Sequence, residues 1–535
     1  MEHAPDRQFL GWDKPFIECA VPRFIALVRE RGIDPAQCVL VLPGRRAARR
    51  VEERIAELAP LDWPPPRVIT ESALAGELSS ERLVFASAWD RALAWREAMR
   101  ASSLIERVKL WSSAPNVMPV NGLARVCART SAQLSAEGTS AAQVVALARR
   151  DASLGDVERW QALESAEARY FAGLARIGRI DPARAALHVA GSGALRVDVH
   201  IFLCALVDLT QAQRALLAHF GSRVTSLVFA PAALAAGFDA QGALGESFWA
   251  ERNIAIDRAH WRVVDTPDEQ ARVALERLAE LAPHARPEQV SIGVPDADVL
   301  PYVERRLLQA GCEPRWAGGS PLANTRPALV IQAVLAWLAE RRFEDFAALV
   351  RHPDLARAIG SELALDPDAP AVDLDAYAAD HVPARIDGAW LEDEGERHNA
   401  QRLERVYATL LQMLGPLATT ESRTSAAWAD ALATLLARVW PEVDLGARER
   451  TAWLHARAFE ALAVIVAELR DADSAVLLDA REALELIVER IEATDLPPAP
   501  PQGDKPVIEL FGALELTLDD AAELVVTGFN EGALP

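Results

Sequence analysis

The sequence predicts an α/β protein with two parallel-sheet domains, each interrupted by a large, wholly helical insertion. Short apolar runs, typical of buried parallel strands, occur in separate groups along the chain. Two long stretches with helical periodicity lie between these groups. A chain of 535 residues is also too long for one hydrophobic core. The predicted order is therefore strands, helical block, strands, strands, helical block and strands.

The first α/β unit begins with five apolar residues, Cys38–Leu42, which predict a buried strand. A Pro-Gly turn follows, and apolar residues then recur at helical spacing through Arg45–Leu58. Strand, turn and helix together form the repeating unit of a parallel sheet. The segment Pro64–Thr70 predicts a linker that enters a second short strand.

The rest of the chain alternates between helical blocks and strands. Residues 72–186 predict helices almost throughout, and a second helical block is predicted over 326–494. The acidic, poorly periodic segment 362–398 inside that block predicts a solvated loop. Proline-rich residues 496–506 predict a linker. The remaining strands are predicted at Leu195–Leu206, Val224–Pro231, Trp261–Pro267, Gln289–Asp296, and within VIELFGAL and AELVVTGF.

The composition restricts the possible functions. A net charge of −21 excludes a general polyanion binder, so any contact with DNA needs a local basic patch or a partner subunit. The five cysteines are scattered without a CxxC pair, which indicates reduced, buried thiols. No window approaches the roughly 18 apolar residues of a membrane helix, and the N-terminus has no secretory pattern. We expect a cytoplasmic protein.

Four segments resemble superfamily-one helicase motifs, in the order that such motors have them. VLVLPGRRAARRVEERI resembles motif Ia, and VHIFLCALVDLTQAQRALLAHF resembles the Walker B region. VSIGVPDADVLPYVERRLLQAG resembles the start of the second motor domain, and LFGALELTLDDAAELVVTGFNEGALP resembles motif V and the strand after it. The chain as a whole resembles the AddB-type subunit of AddAB helicase–nucleases, DNA repair proteins with an inactivated helicase region.

The resemblance implies two RecA-like, P-loop NTPase-like domains in a layout like that of UvrD and RecC. The first would comprise residues 1–72 and 187–262, with the helical insertion 73–186. The second would comprise 263–325 and 500–535, with the insertion 326–499. In the family a PD-(D/E)xK nuclease follows, so the resemblance also implies a chain truncated before that domain.

The sequence predicts that the ATP site is degenerate. A working site needs a glycine-rich loop ending in Gly-Lys-Ser/Thr, but the expected segment, FLGWDKPF, keeps only Gly11 and Lys14. Lys14 is either a phosphate ligand or, as we favour, a surface lysine. A working site also needs an Asp-Glu pair at a strand tip for Mg²⁺ and water. The resemblance places Cys204 and Ala205 there, and Asp208 matches a later, non-catalytic aspartate.

Other catalytic chemistry finds no support in the sequence. Its acids do not form the strand-borne Asp and Glu/Asp-x-Lys set that a PD-(D/E)xK nuclease needs. The ten histidines are isolated and show no HExxH pattern. We therefore expect no metal site, no bound ATP or Mg²⁺ and no catalytic residue in this chain.

Four arginines form the candidate DNA-binding site: Arg45, Arg46, Arg49 and Arg50. Their spacing places them on one side of a helix near its N-terminus, where motif Ia of a helicase meets the phosphate backbone. The alternative is an exposed basic face paired with the acidic residues that follow, Glu52 and Glu53. Trp316 could stack on a base, although a core position is the preferred interpretation.

The sequence leaves three functions open. The first is a non-catalytic, AddB-like scaffold in double-strand break repair that binds DNA ends or single strands together with a UvrD/AddA-like helicase. The second is a protein-interaction scaffold with no direct DNA binding, which the strong negative charge favours. The third is a residual ATPase with an unconventional site.

Overall fold

Two parallel β-sheets, a two-stranded antiparallel pair and many helices make up the described part of this α/β chain. A computed structural model describes residues 5–111, 120–250, 252–254, 257–388, 397–472, 476–516 and 518–530. The strands are β1 (Asp6–Phe9), β2 (Cys38–Leu42), β3 (Arg67–Thr70), β4 (His200–Cys204), β5 (Val224–Val228), β6 (Val290–Gly293), β7 (Glu313–Trp316), β8 (Ser320–Pro321), β9 (Asp495–Leu496), β10 (Val507–Phe511) and β11 (Glu523–Val526).

The helices are of very unequal length, from four residues in α22 to 22 residues in α20. They are α1 (Phe16–Arg31), α2 (Arg45–Leu58), α3 (Leu74–Leu78), α4 (Ala88–Ala101), α5 (Leu104–Leu110), α6 (Val120–Ala136), α7 (Ala141–Ala148), α8 (Val157–Arg176), α9 (Ala185–Ser192), α10 (Gln211–Ala218), α11 (Glu246–Ala250), α12 (Pro267–Leu281), α13 (Leu300–Gln309), α14 (Arg326–Glu340), α15 (Phe343–Arg351), α16 (Pro353–Leu363), α17 (Ala369–His381), α18 (Arg397–Leu414), α19 (Ser425–Val439), α20 (Arg450–Asp471), α21 (Ala480–Glu492) and α22 (Ala513–Leu516).

The first sheet is covered by helices on both faces. Its strand order is β1-β5-β4-β2-β3, every pair is parallel, and β4 lies at the centre. Alternate residues of β2 and β4 pack against α1 and α2 on one face and against α3, α9 and α10 on the other. Burial on both faces explains why β2 and β4 are continuous apolar runs.

The second sheet has four parallel strands in the order β11-β6-β10-β7. Helices α12 and α13 pack on the apolar side chains of β6 and β10. Thr266 caps α12 by accepting a hydrogen bond from the backbone N–H of Glu269. Strand β11 pairs with β6 on the side away from β10. Gly293, the last residue of β6, leaves room for the side chain of Leu516 in α22.

The two helical blocks pack against each other. Trp89 and Leu93 of α4 belong to the hydrophobic core of the second block, together with Trp337 and Trp428. At the same contact Arg96 is almost completely buried and forms an ion pair with Glu482 of α21. The insertions are therefore joined by an apolar core and a buried charge pair, which their separate places in the sequence did not reveal.

One predicted strand is wrong. Residues 261–264 are irregular, and no strand pairing is found for them among the described residues. Trp261 and Val263 are 50% and 81% exposed, so this apolar run contributes little to a core. The sheet edge next to β6 is occupied instead by β11, from the far end of the chain.

The acidic segment 362–398 is not the solvated loop that the sequence predicts. It contains helix α17, on which Leu374 and Tyr377 are buried. Asp373 on the same helix is buried and pairs with Arg402 of α18. Burial of a paired acid explains how an acidic segment can be helical. Residues 389–396 of the predicted loop lie outside the described part.

The sequence analysis missed strands β1 and β7 and the short strands β8 and β9, and it misplaced the edges of the helical insertions. Strands β1 and β7 contain mostly polar residues or proline, and each pairs on one side only. Such edge strands need no apolar alternation, and they tolerate proline. Helices α3 and α9 pack on the first sheet, although the boundaries 73 and 186 assign the whole of α3 and the start of α9 to the helical insertion.

Among the described helices, none combines the length and the apolar character that crossing a bilayer requires.

Gly319 is expected to be the least replaceable glycine of the second sheet domain. Its φ is +75°, and an added Cβ would overlap the carbonyl oxygen of Leu496 where β8 pairs with β9. We expect Gly319→Ala to lower the free energy of unfolding by more than about 1 kcal/mol, measured by urea denaturation. Gly311→Ala is the control, because Gly311 has a φ of +80° but no heavy atom near its added Cβ. Equal losses in both variants would contradict the steric argument.

Candidate functional site

The loop between β1 and α1 contains the segment that the helicase resemblance aligns with a phosphate-binding loop. Gly11 has a φ of +79°, and Lys14 is exposed to solvent. The N-cap of α1 is Pro15, which has no N–H to offer a phosphate. Phe16 follows as a fully buried residue whose ring packs edge-on against Phe229, with centroids 5.7 Å apart. The local structure thus has an apolar plug where a phosphate loop needs amides and a hydroxyl.

The tip of the central strand carries no carboxylate. Cys204 is the last residue of β4, is 1% exposed and packs among the apolar side chains of α1 and the sheet. Burial raises the pKa of its thiol to about 12, so the side chain is neutral. Ala205 follows with a φ of +49° and donates its N–H to the carbonyl oxygen of Leu227 at 3.0 Å. These two residues offer neither a magnesium ligand nor a base for water.

Asp208 lies on the side of the sheet away from the Gly11 loop. Asp208 is exposed. Burial, and after it the negative charge of Asp208, raise the pKa of the Glu71 carboxyl, which follows the edge strand β3. Strands β5, β4 and β2 separate β3 from β1. The structure therefore does not bring Asp208 together with Gly11 and Lys14, and the set does not fit ATP with Mg²⁺.

The four arginines lie on the exposed side of α2, opposite its buried alanines and valine. Positive charge in the first turns of a helix is unfavourable because the N–H groups there already carry a partial positive charge. An anion near this end relieves both charges. The first turns of α2 therefore present an exposed, positively charged surface.

Acidic residues of the second sheet domain already occupy part of this surface. Arg46 lies 3.5 Å from the carboxylate of Glu509 in β10 and 4.3 Å over the ring of Phe511. Arg50 pairs with Asp520, which precedes β11. We call these contacts the inter-sheet clasp: the pairs formed by Arg46 with Glu509 and by Arg50 with Asp520.

The arginines of α2 also differ in their exposure and in whether a nearby acid pairs with them. Arg49 pairs with Glu53 at 3.1 Å but keeps 80% of its side chain exposed. Arg50 also contacts Glu53, at 2.8 Å. Arg45 is exposed and has no ion-pair partner among the described residues. Glu53 thus pairs with part of the basic face, as the alternative interpretation expects, while Arg45 and Arg49 remain exposed.

Sequence reasoning missed the clasp because its partners are some 460 residues apart along the chain. One signal was present: Glu509 is a charged residue within the otherwise apolar strand VIELF. A half-buried acid in such a strand usually has a charged partner. Arg315, on the neighbouring strand β7, is its second partner at 3.2 Å.

The other candidates have structural roles in the described region. His200 opens β4, and burial lowers its pKa. His352 accepts a hydrogen bond from the N–H of Asp354 and so caps α16. Trp316 is half-buried and packs against the second sheet's core. The last five residues of the motif V-like segment, 531–535, lie outside the described part.

Comparison with known proteins identifies no relative: no model of a protein family matches the chain, and no curated protein matches it.

Proposed function

We propose that this chain is a non-catalytic pseudo-helicase scaffold of AddB/RecC-like type, built on two RecA-like domains. In this proposal it binds DNA in the cytoplasm during double-strand break repair, next to a UvrD/AddA-like helicase that hydrolyses ATP. The observation that carries the proposal is the tip of β4. This tip is central in a parallel sheet, where such folds bind ligands, and it carries Cys204 and Ala205 instead of acids.

Two further observations support the proposal. The β1–α1 loop opens at the same edge of the sheet as β4, because parallel strands end together, and Pro15 and Phe16 fill it. The exposed arginines of α2 follow β2 at that edge and face the second sheet domain. A motor-like site that has lost its nucleotide chemistry and kept a cationic helix is suited to holding a strand without moving it.

A direct test measures binding of a fluorescent oligo(dT) strand to the purified chain by anisotropy across a salt series. We expect Arg45→Ala/Arg49→Ala to lower the slope of log affinity against log salt by about 1.4, because each contact with a single-strand phosphate contributes about 0.7. Arg272→Ala/Arg277→Ala on α12 is the control, since these exposed arginines also pair with nearby glutamates. Equal slopes for all proteins would contradict DNA contact at α2.

The clasp supplies the observation that favours a second function. Because Arg46 and Arg50 are paired with acids, the chain could instead be a protein-interaction scaffold in which α2 only holds the two sheets together. Glu509→Gln/Asp520→Asn separates the two functions. Freed arginines should raise affinity for the strand if α2 binds DNA, whereas a protein scaffold should bind no strand in either form.

An assay of phosphate release with and without oligo(dT) tests the third function, a residual ATPase. We expect no turnover above a protein-free blank.

A further inference from the structure

A groove of about 550 Å³ lies far along the chain from the α2 arginines. Its walls are the loop before α20, the first turns of α20 and the proline-rich segment that leads into β10. Its volume is in the range of small-molecule sites. We call it the α20 groove, and the residues used below are Arg448, Trp453, Arg457, Pro500, Pro501 and Gln502.

The groove is cationic in an acidic protein. The chain carries 77 acidic residues, yet among the described residues that line the groove none is acidic. The carboxylates of the nearest acids in sequence accept hydrogen bonds from the local backbone. Asp444 accepts a hydrogen bond from the N–H of Gly446, and Glu449 caps α20 by accepting from two backbone N–H groups. Arg448 is exposed and is not paired with an acid in the described part of the chain.

Two features make one wall suitable for a flat ring. Trp453 is half-buried on α20, and the guanidinium of Arg457, one turn later, lies 5.6 Å from the centre of its indole ring. Arg457 bonds the carbonyl oxygen of Leu445 and pairs with Glu460, but its buried Nε–H has no acceptor among the described residues. The groove thus contains an aromatic face and an unused donor side by side.

The opposite wall is held in place before any ligand arrives. The N–H of Gln502 donates to Glu313 at 2.8 Å, and its side-chain amide donates to the carbonyl oxygen of Arg448 at 3.0 Å. Pro500 and Pro501 restrict the backbone between these bonds. A wall that is already ordered loses little conformational entropy when a ligand binds.

We infer that the α20 groove binds a nucleotide unit, with the base stacked on Trp453 and the phosphate at Arg448. A flat ring and an anion are the two groups that the walls complement, and a nucleotide carries both. The same chemistry is offered by a free nucleotide and by one residue of a single strand. The inference does not rest on the proposed function, because binding of a free nucleotide requires no DNA contact at α2.

The test measures binding of dTMP and of oligo(dT) to the full chain by isothermal titration calorimetry. We expect Trp453→Ala to weaken binding about tenfold, since a stacked base typically contributes that much or more. Arg448→Ala should weaken it and lower the salt dependence. The controls are Trp261→Ala, which removes an exposed tryptophan elsewhere, and Arg405→Ala, which removes an exposed arginine of α18. Both should bind as the unaltered chain does.

The outcomes show whether the ligand is a free nucleotide or a single strand. They also separate failure of this inference from failure of the proposed function. Binding of dTMP that Trp453→Ala weakens supports a free-nucleotide site, even if oligo(dT) does not bind and the proposed function fails. Binding of oligo(dT) alone, weakened by the same variant, supports a strand site. Trp453→Phe, which keeps a ring, should retain most of the affinity. Failure of both probes to bind, or unchanged affinity in Arg448→Ala and Trp453→Ala, would overturn the inference. Because Arg448 is exposed, its variant tests the site even if Trp453→Ala does not fold.

Discussion

Replacing Cys204 by aspartate is expected to destabilise the protein without giving ATP hydrolysis. The Cys204 side chain is enclosed by the apolar core between α1 and the first sheet, so a carboxylate there would be buried without a partner. An uncompensated buried charge typically costs about 3–5 kcal/mol. Urea unfolding measures the loss, and release of phosphate from ATP measures activity. The result would show that this position has become part of the hydrophobic core.

The pH dependence of the stability lost in Cys204→Asp shows whether the loss comes from the buried charge or from the changed shape of the side chain. Burial raises the pKa of the new aspartate above its unfolded value of about 3.9. Below the unfolded pKa the new carboxyl is protonated in both states, so its burial costs least there. As pH rises through the folded pKa, the carboxyl ionises and the free energy of unfolding falls. The deficit should therefore be smaller at pH 4.5 than at pH 7.5. Cys204→Ala is the control and should show no such dependence; a soluble, stable aspartate variant with measurable turnover would contradict our reading of the site.

Glu482→Ala is expected to be the most damaging change at the contact between the two helical blocks. It would leave the guanidinium of Arg96, which is 1% exposed, without its carboxylate. Breaking a buried pair by removing one partner typically costs about 3–5 kcal/mol. Arg100, 2.7 Å from the same carboxylate, would also lose its partner. Chemical denaturation followed by tryptophan fluorescence measures the loss, because Trp89 and Trp428 lie in the adjoining core.

Two comparisons isolate the charge pair from the helix cap. Glu482 also accepts a hydrogen bond from the backbone N–H of Asp479, so Glu482→Gln keeps an acceptor while it removes the charge. The double variant Arg96→Met/Glu482→Leu should recover much of the stability, since an apolar pair of similar volume fits a buried site well. Glu280→Ala, at an exposed pair with Arg277, should cost less than about 1 kcal/mol. A double variant less stable than Glu482→Ala would contradict the argument from an unpaired charge.

The two sheets contribute different side chains to the region around α2. The central strand β4 of the first sheet ends in the buried Cys204, and the second sheet domain supplies Glu509 and Asp520 to the arginines of α2. The clasp therefore joins the two sheets through pairs of opposite charge. Salt should weaken the clasp, because its side chains are partly exposed.

Most α/β units were predictable because their signals are local. The buried strands β2 and β5 and the helix α2 were predicted to within a few residues, since a strand covered on both faces must be apolar throughout. Strands β1 and β7 could not be predicted in this way, because edge strands gain their stability from backbone pairing rather than from apolar side chains. Helix α17 was missed because its acid Asp373 is neutralised by a residue from another helix.

The sequence by itself determined the alternation of sheet and helical segments, the absence of a Gly-Lys-Ser/Thr loop and the positions of the α2 arginines. Each of these depends on the order of residues within one short segment. Only the tertiary structure decided the order of strands, the burial of Cys204 and Phe16, the clasp between Arg46 and Glu509, and the α20 groove. These features arise from residues hundreds of positions apart, and the free energy of such a contact depends on geometry that no local pattern encodes.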